Sequence, residues 1–201
     1  MKITRPIRAV LFDMDGVMVD SEFVYMKYLL EFAKEKNPAV TMEDINQMVG
    51  RSRQDSWTVM ERAVNNGETW ETLIKEWAER DIYSRIDYRK IFRPEMKTTV
   101  QELKRRGYTV ALVSSTGPKL ISRIVEEVGM RPEFDLIVSG KQFKQSKPNP
   151  EIYHYTADTL GIREDECFVV EDSTVGIEAA YRAGMSIAGL KDDRFGFDQS
   201  K

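Results

Sequence analysis

The chain has 201 residues, 41% of them hydrophobic, and its 30 basic and 33 acidic residues leave a formal net charge of −3. This length allows one sizeable core, or one core with a small additional domain. The nearly balanced charge, without a long run of one sign, argues against a nucleic-acid partner and predicts a small-molecule partner.

No stretch approaches the length of apolar sequence that a membrane span requires, and the N-terminus lacks the apolar segment of a signal peptide. We therefore expect a cytoplasmic protein that does not contact a membrane. The single cysteine, Cys167, lies in an apolar run. This position predicts a buried, unreactive side chain and excludes a disulfide within the chain.

Five short apolar runs, rich in β-branched residues, follow one another along the chain. They are residues 8–13, 109–115, 135–140, 167–172 and 186–190. Apolar residues on consecutive positions are typical of strands that are covered on both faces of a parallel sheet. Amphipathic segments of helical period separate the later runs; in the last of them Ile152, Tyr155 and Leu160 define the predicted buried face. The alternation predicts an α/β protein with a doubly wound, Rossmann-like parallel sheet.

Between about residues 17 and 90 the sequence shows helical patterns and no convincing strand. The predicted helices are residues 21–36, a segment from Thr41, residues 52–64 with a capping-box spacing at Ser52, and one continuous segment over 69–86. All three tryptophans lie in this part of the chain, where we interpret them as core residues. We predict a helical cap domain of residues 17–90, inserted into a core domain of residues 1–16 and 91–201.

Polar residues follow the predicted strands at the points where the strands end. They are Asp13, Asp15, Ser114, Lys147, Glu171 and Asp172. Ligands of open parallel sheets bind outside the carboxyl ends of the strands, so we expect these side chains to meet in one crevice.

Carboxylates gathered in this way need a counter-charge. Two of them about 4 to 5 Å apart repel by about 3 to 4 kcal/mol at an effective dielectric constant near 20. A hard divalent cation with oxygen ligands meets that need, and Mg²⁺ is predicted because it prefers one or two carboxylates with waters and a phosphate. Lys147 adds a positive charge that suits a phosphate.

The choice of nucleophile follows from the residue types available. A chain with one histidine lacks the usual imidazole base and a His-rich zinc site, so a carboxylate must supply the nucleophile, the acid/base or both. Asp13 is the better nucleophile because it ends its strand, and Asp15 follows two residues later, before Gly16. Capping of a helix near Ser21 does not account for Asp13 and Asp15, which lie too far upstream.

Four segments together resemble the motifs of the haloacid dehalogenase superfamily. They are VLFDMDGVMVDSE at 10–22, VALVSST at 110–116, QSKPNPEIY at 145–153 and FVVEDSTVGIEAAYRAGM at 168–185. The segments occur in the family's order and span nearly the whole chain. The helical insert resembles the cap of the subgroup that contains sugar-phosphate phosphatases and β-phosphoglucomutase.

The resemblance implies a role for each residue at the strand ends. Asp13 would be phosphorylated, and Asp15 would act first as general acid and then as general base. The transferring phosphate would be held by Ser114, Ser115 and Lys147. The ligands of Mg²⁺ would be Asp13, the backbone carbonyl of Asp15, Asp172 and, directly or through water, Glu171.

Three residues of the insert are candidates for substrate selection. Arg53 resembles the cap-loop arginine that holds the non-transferring phosphate in β-phosphoglucomutase, although a solvated arginine at a helix start is an equal alternative. Arg51 has no assigned counterpart. Tyr25 occupies the position of a gating histidine in β-phosphoglucomutase, and a phenol cannot relay a proton near neutral pH as imidazole can.

We therefore predict a Mg²⁺-dependent hydrolase of small phosphomonoesters, with sugar phosphates as the expected substrates, that acts through an aspartyl phosphate. One alternative is a phosphosugar mutase of the β-phosphoglucomutase type. An alternative of another class is a phosphate-accepting regulatory or binding protein without turnover, although a receiver-like domain has no need of a long helical insert. We expect a monomer or a weak homodimer.

Overall fold

The computed structural model describes residues 6–48 and 53–191, with Arg53 described by its backbone alone. These residues form two compact units. The sheet unit contains residues 6–20 and 88–191, and the helical unit contains residues 21–48 and 53–87. The domain boundaries proposed from the sequence, and the role of the helical unit as a cap, stay predictions.

Five parallel strands form one sheet in the described part of the chain. They are β1 (Ala9–Phe12), β2 (Thr109–Ser114), β3 (Leu136–Ser139), β4 (Cys167–Glu171) and β5 (Ser186–Gly189). Their order across the sheet is β3-β2-β1-β4-β5. Each strand lies within one of the five predicted apolar runs, and the predicted α/β, Rossmann-like class is confirmed.

The α-helices divide between the two units. Those of the helical unit are α1 (Ser21–Lys36), α2 (Met42–Asn46), α3 (Arg53–Val64), α4 (Trp70–Glu79) and α5 (Ile82–Arg85). Those of the sheet unit are α6 (Glu95–Arg105), α7 (Pro118–Glu127), α8 (Glu151–Leu160) and α9 (Thr174–Arg182).

The sheet is covered on both faces, as its sequence pattern requires. Leu11 and Val169 are fully buried in a cluster with residues of α8 and α9. Successive side chains of a strand point to opposite faces, and Val10 accordingly borders a cavity on the other face with Leu103 of α6. Cys167 is fully buried in β4, as predicted, and burial raises the pKa of its thiol to about 12.

The core of the helical unit is aromatic. The ring of Phe32 lies 6.2 Å from the ring of Trp57 and 5.5 Å from that of Trp77, and both tryptophans are buried. Trp70 is half-buried and packs against this cluster. The tryptophans are therefore core residues, as predicted.

Two sequence predictions about helices are wrong. The continuous helix over 69–86 is interrupted, because Asp81 between α4 and α5 has left-handed backbone angles, with φ 43° and ψ 53°. In α8 the buried face includes Ile152 and Tyr153, whereas Tyr155 is 44% exposed and packs against Phe143.

Two further observations concern caps and membrane spans. The capping box at Thr41 is present, with reciprocal hydrogen bonds between Thr41 and Asp44. The capping residue predicted at Ser52 lies outside the described residues. None of the helices that the structure describes has the length and apolar character needed to cross a bilayer.

Candidate active site

The carboxyl ends of β1, β2 and β4 lie side by side at one edge of the sheet. Phe12 at the end of β1 pairs in register with Leu112 of β2 and Val170 of β4. The backbone N–H of Asp13 donates to the carbonyl of Val170 at 3.0 Å, which places Asp13 beside Glu171. The strand order reverses at β1, because β2 and β3 lie on one side of it and β4 and β5 on the other. Ligands of open α/β sheets bind at this switch point.

A buried ion cluster lies at this point. Nζ of Lys147 donates to Oδ1 of Asp13 at 2.6 Å and to Oε1 of Glu171 at 2.7 Å, and also to the carbonyl of Val113 at 3.3 Å. The side chains of Lys147, Asp13 and Glu171 are 4%, 10% and 1% exposed. The structure thus brings together residues from three separate sequence motifs.

Two carboxyl groups share one ammonium in this cluster. Burial opposes the charge on Lys147, but the carboxylates of Asp13 and Glu171 outweigh it and raise the pKa of the ammonium well above its ordinary value. Lys147 is therefore protonated at neutral pH. Burial raises the pKa of Asp13 and Lys147 lowers it, whereas the carboxylates of Glu171 and Asp15 raise it further, and the net effect is a raised pKa. A further cation would favour the ionised form of Asp13.

Glu171 is saturated with donors from the protein. Its Oε2 accepts from the backbone N–H of Asp172, the backbone N–H of Ser173 and the hydroxyl of Ser173, each at 2.9 Å. Its Oε1 accepts from Lys147 and, at 3.4 Å, from the hydroxyl of Tyr153. This geometry favours a role in holding Lys147, and the predicted role of Glu171 as a metal ligand stays a prediction.

Tyr153 forms one wall of the ion cluster, although no role was predicted for it from the sequence. Its ring lies 5.2 Å from Nζ of Lys147, and burial raises the pKa of its phenol above the ordinary value. The available sequence signal is a tyrosine within the lysine motif, next to Ile152. Helical period alone favours Tyr155 for the buried face, so this signal does not single out Tyr153.

Two glycines make room for the acidic residues. A Cβ added at Gly176 of α9 would overlap Oε1 of Glu171, and one added at Gly16 would overlap Oδ2 of Asp172. Gly16 also has φ +80°, a conformation that favours glycine. The backbone after β1 therefore lies directly against the carboxylate of Asp172. This is a second contact between the first and fourth sequence motifs, besides the hydrogen bond from Asp13 to Val170.

Asp15 is held by a threonine to which the sequence analysis assigned no role. Oγ1 of Thr116 donates to Oδ2 of Asp15 at 2.8 Å. The backbone N–H of Thr116 donates to Oγ of Ser114 at 3.0 Å, and its carbonyl accepts from the hydroxyl of Ser139 at 2.6 Å. The loop after β2 is thus tied to the ends of β2 and β3, and through Thr116 it orients Asp15.

The other predicted site residues lie in different surroundings. Ser114 is buried at the end of β2, whereas Ser115 is exposed. Tyr25 belongs to α1 of the helical unit, where its hydroxyl accepts from Nε1 of Trp77 at 3.1 Å. Arg53 begins α3 and its side chain is not described, and Arg51 lies outside the described residues.

The residues at the strand ends suit Mg²⁺ by their chemistry. Among the described residues, no three side chains of His, Cys, Asp or Glu are grouped as a metal site. The predicted ligand set combines the carboxylates of Asp13 and Asp172 with the carbonyl of Asp15 and, directly or through water, Glu171. Mg²⁺ is commonly bound by one or two carboxylates with waters and a phosphate, and Asp172 lies against the backbone next to Asp15, at Gly16.

The sequence is similar to one protein family and to several named phosphatases. Residues 10–190 match the family model described as haloacid dehalogenase-like hydrolase. A phosphoglycolate phosphatase of Photorhabdus laumondii is 28% identical over 195 residues, which cover 94% of this chain and 82% of that protein. A phosphorylated carbohydrates phosphatase of Thermotoga maritima is 26% identical over 181 residues, which cover 89% and 82%.

Solved structures agree at the level of the fold. A β-phosphoglucomutase from Clostridium difficile is similar with a TM-score of 0.67, over 92% of this chain and 85% of that one. The identity of the two sequences is 23%, so this likeness shows the fold alone.

The contact between Gly176 and Glu171 predicts that Gly176→Ala destabilises the protein. In an exposed helix interior, Gly→Ala stabilises by about 1 kcal/mol. Here we expect Gly176→Ala to lower the free energy of unfolding by about 2 kcal/mol or more, because the added methyl displaces Glu171 from Lys147. Urea unfolding checks this, with Gly117→Ala as the control because nothing lies within 4 Å of a Cβ there. The control should cost less than about 1 kcal/mol, and equal losses in the two variants would contradict the prediction.

Proposed function

The chain belongs to the haloacid dehalogenase-like hydrolases, and we propose that it hydrolyses small phosphomonoesters with the help of Mg²⁺ through a phosphorylated Asp13. Family membership confirms the resemblance drawn from the four motifs. Together with the phosphatase names of the relatives it confirms the predicted enzyme class, a hydrolase of the phosphatase type. The observation that carries the finer proposal is the buried ammonium of Lys147, 2.6 Å from Oδ1 of Asp13 at the switch point of the sheet.

The first half of the proposed reaction transfers the phosphoryl group to the enzyme. A carboxylate oxygen of Asp13 attacks phosphorus in line, an Asp13–phosphorus bond forms and the bond to the ester oxygen breaks. Asp15 gives its proton to the leaving alcohol. Thr116 donates to Oδ2 of Asp15 and so orients the carboxyl group that carries this proton.

The second half releases the phosphate. Asp15, now a carboxylate, takes a proton from water as the water attacks phosphorus, and the Asp13–phosphorus bond breaks. Inorganic phosphate leaves, and both aspartates return to their starting states. The same residue serves as acid and base, so no histidine is required.

Positive charge near the phosphoryl oxygens is the main requirement of this chemistry. Lys147 supplies a fixed ammonium, and the hydroxyls and backbone N–H groups around Ser114 and Ser115 follow β2 at the same edge of the sheet. Asp13, the carbonyl of Asp15 and Asp172 would hold Mg²⁺, with Glu171 as a more distant partner. Bound there, Mg²⁺ would neutralise the charge of the transferring phosphate.

The proposed substrates are small phosphorylated metabolites, with sugar phosphates first. Two observations support this class: the names of the relatives, which include a phosphorylated carbohydrates phosphatase, and the small net charge of the chain, which offers no footprint for nucleic acid. A second anionic or polar group on the substrate would be bound by Arg53, and the role of Arg51 is not assigned. The cytoplasmic location and the monomeric or weakly dimeric state stay predictions.

Metal dependence and the Asp13 nucleophile are tested together. We expect phosphate release from p-nitrophenyl phosphate to require Mg²⁺, to stop in excess EDTA and to return when Mg²⁺ is restored. Asp13→Asn should lower kcat/KM roughly a thousandfold or more, because an amide is not a nucleophile. Lys147 keeps Glu171 as a partner in this variant, so the fold should persist, as circular dichroism would show.

Asp158→Asn serves as the control, because this exposed carboxylate lies on α8, and it should leave kcat/KM unchanged. Activity of Asp13→Asn within tenfold of the wild-type value would reject the mechanism. Stoichiometric phosphorylation of the wild-type chain without turnover would instead support the regulatory alternative.

Thr116 is expected to act by orienting Asp15. Thr116→Val removes the hydroxyl with little change of shape, and loss of a hydrogen bond to a carboxylate costs about 1.5 to 3 kcal/mol. We expect kcat to fall roughly tenfold or more while KM stays within about threefold. Thr116→Ser, which keeps the hydroxyl, should recover most of kcat, and failure of serine to do so would mean that the threonine methyl matters rather than its hydrogen bond.

Phosphatase and mutase make different products from one substrate. Tyr25 stands where the mutase resemblance expects a histidine, so we expect water to accept the phosphoryl group. β-Glucose 1-phosphate, Mg²⁺ and a trace of glucose 1,6-bisphosphate should yield free phosphate without faster formation of glucose 6-phosphate. A coupled assay for glucose 6-phosphate beside a phosphate assay measures both, and faster formation of glucose 6-phosphate would identify a mutase.

A further inference from the structure

The helical unit contains a cavity of about 450 Å³. Four aromatic residues and three aliphatic residues line it, together with a single acid. The lining residues are Tyr25, Trp57, Ile74, Trp77, Ala78, Asp81, Ile82 and Tyr83.

The described lining of this cavity carries only negative charge. Asp81 is the only charged residue in the described lining, and no lysine or arginine contributes to it. Arg80, the neighbour of Asp81 in the chain, is engaged elsewhere, with hydrogen bonds of 2.9 and 2.8 Å to Glu35 and one of 2.9 Å to Glu76. Within the part of the chain that the structure describes, the carboxylate of Asp81 makes no hydrogen bond or ion pair. The carboxylate of Asp81 is exposed and is accessible to a positively charged ligand.

The aromatic lining is held in place before any ligand binds. Nε1 of Trp77 donates to the hydroxyl of Tyr25, and the rings of these two residues meet edge to face at 5.5 Å. The ring of Tyr83 stacks on Tyr25 at 6.0 Å, and Trp57 lies 6.3 Å from Trp77. Trp57 and Trp77 are buried at the base, whereas Tyr83 is 46% exposed at the rim. A rigid lining of this kind loses little conformational freedom on binding.

The backbone at Asp81 is also fixed. Its left-handed conformation ends the α4 segment, and its carbonyl accepts from the backbone N–H and the hydroxyl of Ser84 at 3.1 and 2.8 Å. Aspartate and asparagine tolerate this conformation better than other residues with a Cβ. The carboxylate is thus carried on a defined turn at the edge of the aromatic cavity.

From this combination we propose that the cavity is a binding site for a small organic cation of the quaternary or methylated ammonium class. Aromatic rings attract such cations through their quadrupoles, and a carboxylate at the rim adds charge recognition. The same carboxylate, without a basic residue in the described lining, disfavours a phosphate or another anion. The site is separate in chemistry from the phosphate-binding edge of the sheet unit, and it does not rest on the proposed function.

The test uses the full chain and its own fluorescence. Two of the three tryptophans line the cavity, so occupancy should change the tryptophan emission. Choline chloride is titrated at ionic strength held constant with sodium chloride, beside 3,3-dimethyl-1-butanol, which has the shape of choline without its charge. We expect a saturable change with choline and at least roughly tenfold weaker binding of the neutral alcohol.

Matched variants separate charge recognition from loss of structure. Asp81→Asn keeps the shape and the left-handed conformation, and it should weaken choline binding about threefold or more while leaving the alcohol unchanged. Glu79→Gln removes a neighbouring exposed charge outside the cavity lining and should leave both affinities within about twofold.

Three results would overturn the proposal. They are the absence of saturable choline binding, equal binding of choline and the neutral alcohol, and choline binding that Asp81→Asn does not change. Equal binding would identify a purely apolar cavity. None of these readouts involves turnover, so they are independent of whether the chain hydrolyses phosphomonoesters.

Discussion

The ammonium of Lys147, enclosed between the carboxylates of Asp13 and Glu171, is the interaction on which the sheet unit depends most. An isolated charge is costly to bury, and removing one partner of a buried pair leaves the other uncompensated. The three side chains therefore require one another. Because each comes from a different sequence motif, their mutual requirement joins the end of β1, the end of β4 and the loop before α8.

The surroundings of the ion cluster follow from this constraint. Glu171 needs both oxygens satisfied in a buried position, and the N-terminus of α9 supplies the donors through Asp172 and Ser173. Gly176 must lack a side chain because the carboxylate of Glu171 lies against it. The local sequence at the start of α9 is thus explained by the packing of a single acid.

The same cluster connects structure with the proposed chemistry. A divalent cation beside it would favour the ionised form of Asp13, whose pKa is raised by burial, and the cation together with Lys147 would make the edge attractive to a phosphate. Asp13 is held rigidly at the end of β1, whereas Asp15 lies in the following turn and accepts a hydrogen bond from Thr116. In the proposed reaction Asp13 is the nucleophile and Asp15 carries the proton. The helical unit has a different chemistry, with aromatic rings and one unpartnered acid within the described lining of its cavity.

The sequence by itself determined the class of the fold and the strand ends. The five strands were predictable because burial on both faces demands consecutive apolar residues, a pattern that does not depend on distant partners. The position of Asp13 at a strand end was predictable for the same reason. The family could also be predicted, because four motifs in a fixed order are far more specific than any one of them.

Only the tertiary structure decided which atoms meet. Helical periodicity led to Tyr155 rather than Tyr153 for the buried face of α8, because that face depends on where the sheet lies. The break at Asp81 was not predictable, because its residue type permits a left-handed turn without requiring one. The roles of Thr116 and Gly176 depend on contacts with Asp15 and Glu171. Such contacts between residues far apart in the chain arise from the packing of the strands and loops, which local sequence patterns do not encode.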